Sequence, residues 1–232
     1  MRYLSAVLAL LASLMGAWAG DAKNVTANYI GRNFAPLLTP KSEFLGSIGP
    51  SYQRLIIHFN SVVRDKNVPT VYHVAGYTQV KDNRCSFEGT ITITKLMATG
   101  YEELGRGEDN KVDAVNARGT LFAEYDLREN PKEPHSGEFL GTMTMDWYID
   151  TKNKLRFDDL DDVSDGYDNN RYKGTWASYG DPHKRKAANW GQYRIPDSGD
   201  LDTGAGEFWP NEKYDDFGWR EYRQKLQREW SK

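Results

Sequence analysis

The sequence contains a single cysteine, Cys85, so no disulfide can form within the chain. Small secreted domains commonly depend on several disulfides, but a chain of 232 residues is long enough to bury a core without them. An excess of positive charge is also missing, because 30 Lys and Arg face 33 Asp and Glu. This balance argues against nucleic acid as a partner and against strong attraction to anionic membranes.

Local motifs of enzymes and metal sites are missing as well. The four histidines show no metal-ligand spacing, and no Gly-x-Ser-x-Gly elbow marks a serine hydrolase. The acidic stretch from Asp158 to Asp168 departs from the ligand spacing of an EF-hand, so a solvated loop is the favoured interpretation. The segment from Asp200 to Glu207 has the carboxylates for an irregular ion site, but ordinary turns are the favoured interpretation. We therefore predict no metal, no cofactor, no catalytic residue and a protein that is not an enzyme.

The N-terminus has the three parts of a secretory signal peptide. Arg2 supplies the positive charge, Leu4 to Leu14 is an apolar run, and Ala17-Trp18-Ala19 fits the cleavage pattern. The apolar run is too short to span a membrane. We expect residues 1–19 to be removed and the protein to be exported to the periplasm, the cell surface or the medium, without an integral membrane segment.

A short phrase recurs along the chain. The full copies are Phe87-Glu-Gly-Thr-Ile-Thr-Ile, Phe139-Leu-Gly-Thr-Met-Thr-Met and Tyr172-Lys-Gly-Thr-Trp-Ala. An aromatic residue, a glycine and a large apolar residue occupy alternate positions, which lie on one face of a β-strand. Glycine between bulky inward residues permits tight bending, so the phrase predicts a curved and closed antiparallel sheet.

Strand patterns separated by short turns continue along the middle of the chain and predict an all-β, up-and-down antiparallel meander of about eight strands. Two architectures are compatible with this pattern, a barrel (preferred) and a two-sheet sandwich. The predicted strands are 52–63, 70–80, 84–97, 117–128, 137–150, 153–158, 171–179 and 187–195.

The predicted sheet forms one domain over residues 51–195. An irregular segment, 20–50, precedes it, and a Gly- and Asp-rich segment, 196–232, follows it. The last segment ends in a predicted helix near 216–230, in which Trp219, Tyr222, Leu226 and Trp230 form an apolar stripe. We expect this helix to pack on the barrel.

The eight-strand meander with repeated Gly-Thr phrases resembles the calycin-like barrels of the lipocalin and avidin group. The resemblance covers residues 51–195 and is architectural. Lipocalins carry a Gly-x-Trp motif near the first barrel strand, whereas Gly174-Thr175-Trp176 lies near the end of this interval. The resemblance therefore implies a barrel and assigns no binding residue.

Aromatic and methionine side chains on the inward face are the remaining functional signal, because such residues line pockets for apolar molecules as well as cores. The leading hypothesis is a non-enzymatic protein that holds a small apolar or amphipathic ligand in the barrel. The alternative is an interaction protein with a filled core that binds a protein or a glycan through exposed aromatics. The candidate ligand-binding residues are Phe87, Tyr125, Phe139, Met143, Met145, Trp147, Tyr172 and Trp176.

Overall fold

The computed structural model describes residues 23–39, 43–98 and 115–231, so the predicted signal peptide, 1–19, lies outside the described residues. Within these ranges the strands form one antiparallel sheet. They are β1 (Lys23–Asn24), β2 (Leu45–Ile48), β3 (Gln53–Arg54), β4 (Ile56–Arg64), β5 (Val71–Val80), β6 (Asn83–Ala98), β7 (Val115–Glu129), β8 (Gly137–Asp150), β9 (Leu155–Phe157), β10 (Asn169–Ser178) and β11 (Asp181–Gln192).

The sheet is a meander, as predicted from the turns. Its order is β4-β5-β6-β7-β8-β10-β11-β2-β3, while β1 pairs with β6 and β9 pairs with β8. Most neighbours in space are neighbours in sequence, because short turns join antiparallel strands. At the turn between β8 and β9, for example, the Asp150 amide donates to the Lys154 carbonyl over 3.0 Å.

The sheet curls into a half-barrel, and its concave face carries the core. Phe59 on β4 and Tyr172 on β10 are five strands apart in the sheet, yet their ring centroids lie 6.1 Å apart. Such a contact requires strong curvature with both rings on the inner side. The recurring phrase supplies this arrangement, since Phe87, Phe139 and Tyr172 are all buried.

Glycine is required where the phrase copies of β8 and β10 lie side by side. Gly141 pairs with Gly174, and Tyr125 pairs with Gly141 from the other side. A Cβ atom on Gly174 would lie 2.3 Å from Tyr125 Oη and 2.3 Å from the Leu140 carbonyl oxygen. The tyrosine ring therefore covers two facing glycines that leave room for it.

Residues 25–39, which lie in the segment predicted to be irregular, close one end of the concave face. They contain two short helices, α1 (Thr26–Tyr29) and α2 (Ala35–Leu38). The Tyr29 ring centroid lies 5.1 Å from that of Trp147, and the Phe34 amide donates to Tyr72 Oη over 3.0 Å. Strand β2 also falls in the interval 20–50, which was predicted to be irregular. Its four residues are ordered by pairing with β11, a contact that the local sequence does not indicate.

The C-terminal segment forms a smaller cluster beside the sheet. Residues Glu212–Phe217 form a 3₁₀ helix, and α3 (Arg220–Trp230) follows it, in agreement with the predicted C-terminal helix. Trp219 is buried at the start of α3, whereas Trp230 at its end is 63% exposed. The predicted apolar stripe is therefore covered at one end only. No helix in the described ranges has the length and apolarity needed to cross a bilayer.

Candidate functional site

The end of the concave face opposite α1 and α2 holds a recess of about 550 Å³, which we name the Glu129 recess. Its walls are inward-facing strand residues and its rim is made of turns. A volume of this size falls within the range of about 300–1,000 Å³ that is usual for small-molecule sites. The lining residues are Ile48, Gly49, Pro50, Ser51, Gln53, Thr78, Val80, Lys81, Asn83, Glu129, His135, Phe139, Trp176, Lys186 and Phe217.

Glu129 lies at the end of β7 and is 4% exposed. Thr78 Oγ1 donates to its Oε1, and the Gly137 amide and Trp176 Nε1 donate to its Oε2 over 2.7 Å and 3.0 Å. Burial raises the pKa of this carboxyl above its ordinary value, and these hydrogen bonds offset part of the rise. Because both oxygens are occupied, Glu129 acts as a fixed anchor for the Trp176 ring.

Two lysines of the recess have no acidic partner within the part of the chain that the structure describes. Lys186 extends from β11 so that its Nζ lies 4.9 Å from the ring centroid of Trp176, and Lys81 lies in the turn after β5. Both side chains are exposed. Among the described residues, the lysine ion pairs involve Lys173, Lys213 and Lys225 instead.

The candidate ligand-binding residues occupy three depths of the concave face. Phe139 and Trp176 lie together at the recess, with ring centroids 6.4 Å apart. Tyr125 and Tyr172 lie deeper, where Tyr172 stacks on Trp190 at 4.9 Å. The others are buried in the same core, and Trp147 packs at the far end against Tyr29. These other candidates, which do not line the recess, are Phe87, Met143, Met145 and Trp147.

The deep aromatic layer contains buried polar atoms without a hydrogen-bond partner in the described structure. They include Tyr125 Oη, Tyr172 Oη, Trp147 Nε1 and Trp190 Nε1. Burial raises the pKa of both tyrosines. These hydroxyls therefore stay neutral, and each retains the cost of leaving water without a compensating hydrogen bond.

The two acidic stretches are held by arginines. Arg118 donates to Asp158, which is buried, and to Asp161. Arg194 donates to Asp202 over 2.6 Å and to the carbonyl of Gly206 over 2.6 Å. Within 23–39, 43–98 and 115–231, no group of three or more His, Cys, Asp or Glu side chains is arranged to hold a metal ion.

Sequence reasoning missed Glu129 and Lys186 as parts of a site. Glu129 continues the inward alternation of Tyr125 and Leu127, but the predicted strand ended at residue 128. Lys186 shares the inward alternation of Ala188 and Trp190 on β11. Both residues were missed because each lies one position outside its predicted strand, 117–128 for Glu129 and 187–195 for Lys186.

No protein-family description matches the chain, and no curated protein or solved structure is significantly similar to it.

Proposed function

We propose that this protein is an exported, non-enzymatic binding protein that holds a small apolar or amphipathic molecule in the Glu129 recess. The observation that carries the proposal is a recess of about 550 Å³ whose walls include Ile48, Val80, Phe139 and Trp176. Apolar walls with a few placed polar groups are typical of sites for small molecules. The occupied carboxylate of Glu129 supports a binding role, because its oxygens already accept three hydrogen bonds.

The proposal includes a sheet that closes into a calycin-like barrel. Support comes from the chain between Gln53 and Arg64, where β3 pairs with β2 and β4 pairs with β5. Only Leu55 separates the two strands, and its amide donates to the Gly46 carbonyl over 2.9 Å. One nearly continuous stretch of chain thus pairs with both ends of the meander.

The ligand is placed in the recess because aromatic side chains fill the deeper concave face. Phe139 forms the boundary: it lines the recess on one side and contacts Trp190 on the other, with ring centroids 5.9 Å apart. Below it, Tyr172 and Trp190 are completely buried. This placement keeps Phe139 and Trp176 as ligand contacts and assigns a packing role to the six candidates that do not line the recess.

Binding of the neutral fluorescent probe N-phenyl-1-naphthylamine tests the proposal. We expect fluorescence enhancement with the wild-type protein and its loss in Val80→Phe, because the larger side chain fills the recess from its wall. Val68→Phe is the matched control, since Val68 is 47% exposed and lies outside the recess. Equal binding by wild type and Val80→Phe, with both proteins folded, would place the probe elsewhere and refute the assignment.

Export is proposed from the N-terminal sequence. The signal pattern of Leu4 to Ala19 places cleavage after Ala19. N-terminal sequencing of protein from the natural host should begin at Gly20. Intact Met1 on protein that stays inside the cell would overturn this part of the proposal.

A second candidate function is glycan binding by the C-terminal segment. Trp230 is 63% exposed and its ring centroid lies 5.1 Å from that of Trp209. Exposed aromatic rings present an apolar face for contact with a partner. Binding to immobilised oligosaccharides that Trp230→Ser abolishes would favour this function, and retention equal to wild type would exclude Trp230 from it.

A further inference from the structure

We infer that the ligand of the Glu129 recess is an anion with an apolar body, and that Lys186 and Lys81 hold its anionic group at the rim. The inference rests on the proposed function and adds a ligand class to it. The volume and the apolar walls of the recess do not determine the charge of the ligand, whereas the charged side chains around it do.

The charged side chains of the recess differ in whether they are free to pair with a ligand. Glu129 lies buried at the inner wall, where it accepts hydrogen bonds from three neutral donors, on Thr78, Gly137 and Trp176. Lys81 and Lys186 instead line the recess with exposed side chains, and neither has a carboxylate partner among the described ion pairs. The unsatisfied charge at the rim is therefore positive.

Glu129 and Lys186 together determine which end of the ligand lies inward. An anionic group placed deep in the recess would approach the Glu129 carboxyl, and like charges at short distance in a partly buried site repel strongly. At the rim the same group meets Lys186 and stays in contact with water. The apolar body then lies inward against Phe139, Ile48 and Val80, where it displaces water from apolar surface.

The Lys186 side chain is held in place by the Trp176 ring. Its Nζ lies over the Trp176 ring at 4.9 Å, a cation–π contact that restrains the ammonium above the recess. The Trp176 ring is in turn fixed by its hydrogen bond to Glu129 over 3.0 Å. The inner carboxylate thus positions the outer cation through one indole ring.

A matched pair of probes tests the inference. The sulfonate 1-anilinonaphthalene-8-sulfonate and the neutral N-phenyl-1-naphthylamine share the same aromatic body and differ in the anionic group. We expect the sulfonate to bind more tightly to the wild-type protein, and Lys186→Gln to weaken the sulfonate about fivefold, the upper value for one exposed ion pair, while leaving the neutral probe unchanged. Lys81→Gln should act in the same direction, and added salt should weaken only the sulfonate.

Lys184→Gln is the control, because Lys184 lies on the same strand but does not line the recess. It should leave both affinities unchanged. If both probes bind with equal affinity, or if Lys184→Gln weakens the sulfonate as much as Lys186→Gln does, the anion inference is overturned while the recess stands as a binding site. If neither probe binds, the proposed function fails together with the inference.

Discussion

Replacing Tyr172 by phenylalanine is expected to stabilise the protein, although the residue is at the centre of the core. Tyr172 is completely buried, and its hydroxyl has no hydrogen-bond partner in the described structure. A buried hydroxyl left without a partner destabilises the folded state by about 1–3 kcal/mol. Tyr172→Phe removes that hydroxyl and keeps the ring that stacks on Trp190.

Tyr72→Phe is the matched comparison. Tyr72 is equally buried, but its hydroxyl accepts a hydrogen bond from the Phe34 amide over 3.0 Å. Its removal leaves that amide buried without a partner, so we expect a loss of about 1–3 kcal/mol. The two substitutions delete the same oxygen atom from equally buried rings and should change the stability in opposite directions.

Urea denaturation followed by tryptophan fluorescence measures the difference. The midpoint should rise in Tyr172→Phe and fall in Tyr72→Phe, with unchanged slopes. In thermal unfolding, each 1 kcal/mol change in the free energy of unfolding shifts the melting temperature by roughly 2–4 °C for a chain of this size. A destabilisation of Tyr172→Phe as large as that of Tyr72→Phe would refute the reasoning, because it would mean that the Tyr172 hydroxyl has a partner in solution.

Three further predictions follow from the packing and the charges. Gly174→Ala should destabilise the protein by about 1–3 kcal/mol, because its Cβ would lie 2.3 Å from the Leu140 carbonyl oxygen and from Tyr125 Oη. Gly180→Ala, whose nearest contact is at 3.7 Å, should be nearly neutral in urea denaturation. Burial raises the folded-state pKa of Glu129 above its ordinary value of 4.5. Just above pH 4.5 the folded protein therefore binds more protons than the unfolded chain does. The stability of wild type relative to Glu129→Gln should therefore fall as the pH rises through that window, and a gap that widens with pH would contradict the raised pKa. Arg194→Lys should increase proteolysis at Asp202–Gly206, because lysine cannot reproduce the contacts of the guanidinium with that segment, and an unchanged digestion pattern would show that other contacts order it.

The strands from β5 to β8 were predictable because each carries a long alternating pattern, and β5, β7 and β8 end at recognisable turns. The inward positions of Tyr125, Phe139 and Met143 follow from this alternation, and all three are buried. Strand β2 was missed because four residues containing a glycine show no pattern of their own. Its order depends on β11, about 140 residues away in sequence.

The recess was beyond prediction from sequence for a different reason. Its rim combines the turn at Gly49, the turn at Lys81, the loop at His135 and the end of the 3₁₀ helix at Phe217. The sequence gives each of these turns a local signal, but the distance between them depends on how strongly the sheet curls. Inward aromatic residues such as Tyr125 and Phe139 were identified from the sequence, whereas Trp190 was not, and the depth at which each ring lies required the structure.

The segment that seals the far end of the concave face has a consequence for the order of folding. Arg32 donates to the carbonyl and the side chain of Asn153, which is 121 residues later, and Tyr29 packs on Trp147. During synthesis this segment leaves the ribosome well before its partners, which follow only when β8 and the turn after it have been made. Contacts between such distant residues form slowly, so we expect this N-terminal segment to reach its final position late in folding.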